Sequence, residues 1–165
     1  MLMDDHDRIT QQLYLYSAAV DSRQWHLFDD IFTKDIVADY GQPVEGLEPF
    51  KQMAEAAWGA FDASQHSFSN VLVKIDGDKA RTLAHGNWHI IRKGFAEGDT
   101  WLGRGWYDDS FVRKGKHWLI RHRRCRVMAF EGNPGIMFPD GKFEGPFLTT
   151  SMVEELKNGT LGFFS

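Results

Sequence analysis

Apolar residues recur along the first third of the chain with helical spacing. Ile9, Leu13, Tyr16 and Val20 follow one another at i, i+4, i+7 and i+11, which puts them on one stripe of a helix. Asp4, Asp5 and Asp7 precede and open that stretch, where acidic groups complement the positive end of a helix dipole. Phe28, Ile31 and Phe32 predict a second, shorter helix, and Asp21-Ser22-Arg23-Gln24 predicts the turn between the two. Ile36–Tyr40 is a short β-prone run ended by Gly41. A third helix opens at Gly46-Leu47-Glu48-Pro49, with proline suited to its first turn, and its stripe is Phe50, Met53, Ala54, Ala57, Trp58 and Phe61.

From Ser64 the period changes from helical to alternating. Strands are predicted over His66–Ile75, Lys79–Arg92, Thr100–Arg113 and His117–Met128, separated by Asp76-Gly77-Asp78, the Gly94–Gly98 turn and Lys114-Gly115-Lys116. Long strands joined by short turns form an antiparallel meander. The order α-α-β-α followed by four strands predicts an α+β cone, a curved antiparallel sheet wrapped around three N-terminal helices that enclose a cavity. Residues 1–131 would make up this domain. Residues 132–165, rich in Gly and Pro as far as Pro146 and then helical around Met152, Val153 and Leu156, would be an extension packed on the cone or closing it.

Composition narrows the picture. A chain of 165 residues suits one domain, and 14% aromatic residues, with 13 Phe and 6 Trp, can fill a core or line a pocket for a flat apolar ligand. The net charge of −4 argues against a general nucleic-acid partner. The single cysteine, Cys125, excludes an intrachain disulfide and a cysteine-based metal site. No run has the ~18 apolar residues of a membrane span and the N-terminus does not resemble a secretory signal, so a soluble cytoplasmic protein is the expectation.

Several residues could carry chemistry. Asp21, at the predicted end of the first helix, caps it or orients a histidine as part of a general base. His66, at the start of a strand, is structural or a general base, histidine being the side chain best suited to proton transfer near neutral pH. Tyr40 is a packed ring or a phenol that polarises a carbonyl. His85, Asn87 and His89 share one strand face, which is either solvated or a polar cavity wall. A metal site is not expected, because no HExxH-type spacing links the histidines. In Arg121-His122-Arg123-Arg124-Cys125-Arg126, strict alternation puts Arg121 and Arg123 on one face and His122, Arg124 and Arg126 on the other. One of these sets should be partly buried and paired with carboxylates or a ligand anion.

Taken in order, Val20-Asp21-Ser22-Arg23-Gln24-Trp25, Ala38-Asp39-Tyr40-Gly41, Gln65-His66, Gly105-x-Tyr107-x-Asp109 and Trp118-Leu119-Ile120 resemble the NTF2-like superfamily, in its SnoaL-like and scytalone-dehydratase-like branch. The resemblance spans roughly Asp7 to Met128 and implies the cystatin-like cone. It implies an Asp21–His66 dyad, Tyr40 as the carbonyl-polarising phenol, His89 near a second catalytic histidine, and Arg123 at an arginine found in another member of the branch, hexachlorocyclohexane dehydrochlorinase. Val20 stands where scytalone dehydratase has a tyrosine, and Tyr107 lies near the position of its asparagine.

The activity so implied is that of a lyase or isomerase, dehydratase-like, that needs no cofactor and acts on a small hydrophobic cyclic or aromatic molecule. A homo-oligomer, dimer or trimer, is the implied assembly. The rival implication is a non-catalytic ligand-binding or assembly module, such as the small subunit of a ring-hydroxylating dioxygenase. Binding of nucleic acid through the arginine cluster is a third and weaker reading.

Overall fold

The computed structural model describes residues 3–138, 140, 141 and 146–164, so part of the Gly/Pro-rich stretch predicted between Gly132 and Pro146 lies outside the described residues. Helix α1 spans Asp5–Asp21 and is capped by Asp4, whose carboxylate accepts the Asp7 N–H at 2.8 Å. Its predicted stripe is buried, with Ile9, Leu13, Tyr16 and Val20 all in the core. A 3₁₀ turn over Trp25–Leu27 leads into α2, Phe28–Ile31, and α3 covers Leu47–Trp58.

Six strands form one sheet in the order β2-β1-β6-β5-β4-β3. β1 is Phe32–Asp39 and β2 is Pro43–Glu45, a short edge strand that the hydrophobic pattern did not reveal. β3 (Ala63–Asp76), β4 (Lys79–Ile91), β5 (Thr100–Lys114) and β6 (His117–Gly132) are the expected antiparallel meander. β1 joins β6 in parallel, which adds one parallel pair to the otherwise antiparallel sheet. The helices cover the concave face: α1 packs on β3 and β6, and α3 packs on β1. The architecture is the expected α+β cone. Among the described residues, no helix is long and apolar enough to cross a membrane.

The arginine strand departs from strict alternation for an identifiable reason. Ser110 pairs with His122 and Phe111 with Ile120, so Arg121 has no residue opposite and forms a β-bulge. The extra residue lets Ile120 and Arg123 both face the core, while Arg121 turns outward to Asp35 at 3.1 Å. Arg123 is fully buried and bidentate to Asp109, with Nε–Oδ1 at 2.9 Å and Nη2–Oδ2 at 2.6 Å. Its guanidinium carbon also lies 4.0 Å from the Tyr16 ring centroid and 4.7 Å from that of Tyr107. Burial alone would lower the Arg123 pKa, but the Asp109 charge and hydrogen bonds outweigh it and hold the pKa well above the ordinary value.

The other two arginines of the cluster are also paired. Arg126 binds Asp39 at 2.6 Å, and Arg124 meets Glu155 at 3.1 Å. Glu155 belongs to α4, Met152–Lys157, which begins with a capping box of Ser151 and Glu154. The chain then runs across the outer face of the sheet, where Leu161 and Phe163 pack with Leu83 and Trp106 in a second apolar cluster. Asp108 accepts the N–H groups of Gly162 and Phe163, and Lys74 donates to the Phe163 carbonyl at 2.8 Å.

Asp109→Ala is expected to destabilise the fold by about 3–5 kcal/mol in urea denaturation, because it leaves a buried cation unpaired. The double variant Asp109→Leu/Arg123→Met should recover most of that loss. A second expectation concerns Asp39. Burial pushes its pKa up, but Arg126, the Gly41 N–H and Arg124 together hold it below the usual carboxylate range. The stability it contributes is therefore complete above the ordinary carboxylate pKa and is lost as pH falls through the lowered one. The gap in urea midpoint between the parent and Asp39→Asn should be open at neutral pH and close in acid.

Candidate active site

The concave face of the sheet and the helices enclose a cavity of about 830 Å³. Met53 and Trp58 of α3 and Phe61 line one side, and Tyr40, Trp88, Ile90, Trp101, Tyr107 and Val127 line the sheet side. Met137, Phe138 and the segment Pro146–Thr150 add a further wall from the C-terminal extension. Two glycines on the inner face make this lining possible. A Cβ on Gly86 would lie 2.7 Å from the Trp88 ring and 2.8 Å from that of Tyr107, and one on Gly103 would lie 2.1 Å from the Trp101 ring. The rings lie over these bare backbone positions.

His66 is the titratable imidazole in this lining, and Asp21 stands behind it. β3 carries His66 inward beside the C-terminal end of α1, where Asp21 is the last helical residue. The Asp21 Oδ1–His66 Nδ1 distance is 2.6 Å, and Asp21 Oδ2 accepts the backbone N–H of His66 at 2.8 Å. A carboxylate can only accept, so Nδ1 carries the proton and Nε2 is the nitrogen left with a free lone pair. The side chain of His66 is 9% exposed and its ring packs edge-on against Tyr16, with centroids 6.2 Å apart.

The phenols form a connected group. Tyr40 and Tyr16 share a hydrogen bond of 2.7 Å, and Tyr107 accepts one from Trp88 Nε1 at 2.7 Å. Burial pushes the Tyr16 hydroxyl up to about 12 and raises Tyr40 and Tyr107 well above the ordinary value. These three groups stay protonated and are able to donate hydrogen bonds, but are not bases. Cys125, also in the lining, is pushed up to about 12 by burial and is a thiol, not a thiolate.

Of the residues singled out from the sequence, Asp21 and His66 are thus brought together, with Tyr40 in the same cavity. His89 is not. It is exposed on the outer face of β4 with His85 and Asn87, and Trp88 takes the inward position next to it. The polar His85/Asn87/His89 face is the solvated one. Arg123 also lies outside the lining, behind the Tyr16 and Tyr107 rings and committed to Asp109. The sequence alone assigns no chemical role to Tyr107, Tyr16 or Trp88. Their positions on the inward faces of α1, β5 and β4 were the available signal.

Replacing Trp88 with alanine should weaken binding of an apolar fluorescent probe such as anilinonaphthalene sulfonate and destabilise the fold by about 3–5 kcal/mol. His89→Ala should leave both unchanged. Probe titration and urea denaturation measure the two effects.

The comparisons with known proteins bear on the family and the fold. The model of the SnoaL-like domain matches residues 2–124. An uncharacterised protein of Mycobacterium tuberculosis is 32% identical over 132 residues, covering 78% of this chain and 88% of its own. Among solved structures, a scytalone dehydratase candidate from Novosphingobium aromaticivorans superposes with a TM-score of 0.69 at 19% identity, covering 76% of this chain and 85% of its own. The hexachlorocyclohexane dehydrochlorinase LinA type 2 superposes with a TM-score of 0.68 at 19% identity, covering 79% of this chain and 90% of its own. At these identities the two structures speak for the fold alone, whereas the domain match spans three quarters of the sequence. The chain belongs to the SnoaL-like domain family of the NTF2-like superfamily.

Proposed function

We propose that this protein is a lyase or isomerase, working without a cofactor, that removes a proton from carbon in a small hydrophobic cyclic or aromatic molecule. One observation carries the reading: an imidazole in the wall of an aromatic cavity has its Nδ1 held 2.6 Å from a carboxylate. That arrangement leaves Nε2 as a base aimed at a ligand and stabilises the imidazolium formed when it accepts a proton.

In the proposed step, the substrate C–H bond breaks and its proton goes to His66 Nε2. The electron pair forms a new C=C bond as a leaving group departs with its own bonding pair. In an isomerisation, the pair instead enters an enolate, and the imidazolium returns the proton to another carbon. Tyr40 and Tyr107, kept protonated by burial, would donate hydrogen bonds to the developing negative charge. The fold shared with LinA and with the scytalone dehydratase candidate supports a reaction of this class. Arg123 would act from behind the aromatic wall, holding the rings in place rather than touching a leaving group.

The exposed Leu102 and Met128 support a second copy of the chain as partner, in a dimer or trimer. Sedimentation of the purified protein measures that state.

The test of the chemistry is a panel of cyclic ketones, alcohols and halides in deuterated water, read by elimination or by deuterium incorporation at carbon. His66→Ala and Asp21→Asn should each lower turnover at least ~100-fold, the scale of general-base catalysis. Full turnover in both variants would overturn the dyad. Tight binding with no turnover by the parent protein would favour the non-catalytic binding module.

A further inference from the structure

Arg23 stands just beyond the end of α1 with a φ of 60°, a left-handed conformation that its β-carbon disfavours and that glycine adopts freely. An arginine in that place requires a reason, and its side chain supplies one. The guanidinium turns back over the helix end and donates to the carbonyl of Val20, to the carbonyl of Phe61 at 3.1 Å and to Ser64 Oγ at 2.8 Å. Ser64 Oγ in turn lies 2.8 Å from Asp21 Oδ1, the same oxygen that meets His66 Nδ1.

The direction of this chain follows from the chemistry of its members. Arginine can only donate, so Ser64 accepts from it and its own hydroxyl hydrogen is left for Asp21. Asp21 Oδ1 then receives two hydrogen bonds, one from Ser64 and one from the imidazole, while Oδ2 takes the backbone N–H of His66. Together these bonds fix the plane of the carboxylate. The Arg23 guanidinium also reaches the carbonyl of Phe61, which lines the cavity, and through Ser64 of β3 it joins the two segments that carry the dyad.

We propose that Arg23 and Ser64 are positioning residues of the Asp21–His66 dyad, forming a relay Arg23→Ser64→Asp21 that keeps the imidazole proton on Nδ1 and Nε2 free toward the cavity. The inference rests on the general-base reading above, yet it concerns the state of the imidazole, which can be observed without a substrate. Neither Ser64 nor Arg23 lines the cavity. They act through Asp21, whose hold on His66 they direct.

The experiment is proton–nitrogen NMR of the His66 ring in the full chain, at neutral pH, in the parent and in Ser64→Ala, Ser64→Thr, Arg23→Gly and Asp21→Ala. The parent should show a single tautomer protonated at Nδ1, with a downfield Nδ1–H signal. Ser64→Ala and Arg23→Gly should lose that signal and give mixed tautomers, while Ser64→Thr, which keeps the hydroxyl, should retain the parent spectrum. Glycine suits the backbone at position 23, so a merely structural arginine would leave the His66 spectrum of Arg23→Gly unchanged, whatever happened to its melting temperature. If Arg23→Gly does not fold, Ser64→Ala still decides. An unchanged tautomer and signal in a folded Ser64→Ala would overturn the relay. Loss of the signal in Asp21→Ala alone would reject the relay and leave the dyad standing, whereas its persistence in Asp21→Ala would reject the dyad itself.

Discussion

The buried ion pair of Arg123 and Asp109 is the constraint around which the cone is arranged. A cation at the centre of a core survives only with a partner, and here the partner comes from the neighbouring strand in bidentate geometry. The remaining guanidinium surface is taken up by aromatic faces, Tyr16 above all. Tyr16 in turn touches Phe28, Phe32, Phe68, Tyr107 and His66 with its ring and Tyr40 with its hydroxyl. One salt bridge therefore sets the position of the ring against which both the candidate base and the candidate phenol rest.

The pair also explains why the β6 bulge is needed. Without the extra residue at Arg121, alternation would aim Arg121 and Arg123 together toward the core, and two guanidinium groups would need buried partners where one carboxylate stands. The bulge sends Arg121 to Asp35 on the surface and keeps Arg123 inside.

Much of this was legible in the amino-acid sequence, and the parts that were not have physical causes. The α1 stripe and the strand meander follow from periodicity, which is local. The parallel docking of β1 on β6, the edge strand β2 and the bulge at Arg121 depend on hydrogen-bond register between distant segments, which leaves no local mark. For the site, alternation put Trp88 and His89 on opposite faces of β4 without saying which face looked inward, and the polar companions of His89 suited either choice. Trp88 takes the inward face, where the bare backbone of Gly86 on β4 leaves its ring room. Asp21 and His66 were proposed as partners through a resemblance. Their contact at the junction of a helix end and a strand is a tertiary fact.

The C-terminal extension crosses from the cavity wall to the outer sheet face, and the family domain ends before it begins. The proposed proton-transfer groups lie on α1 and β3, in the first half of the chain, while much of the wall that would meet a ligand's far side comes from residues after Gly132. Under the proposed function, chemistry and selectivity would be written in separate stretches of the polypeptide. Over evolutionary time the last thirty or so residues could be exchanged or recombined, retuning which molecules are admitted without disturbing the machinery proposed to act on them.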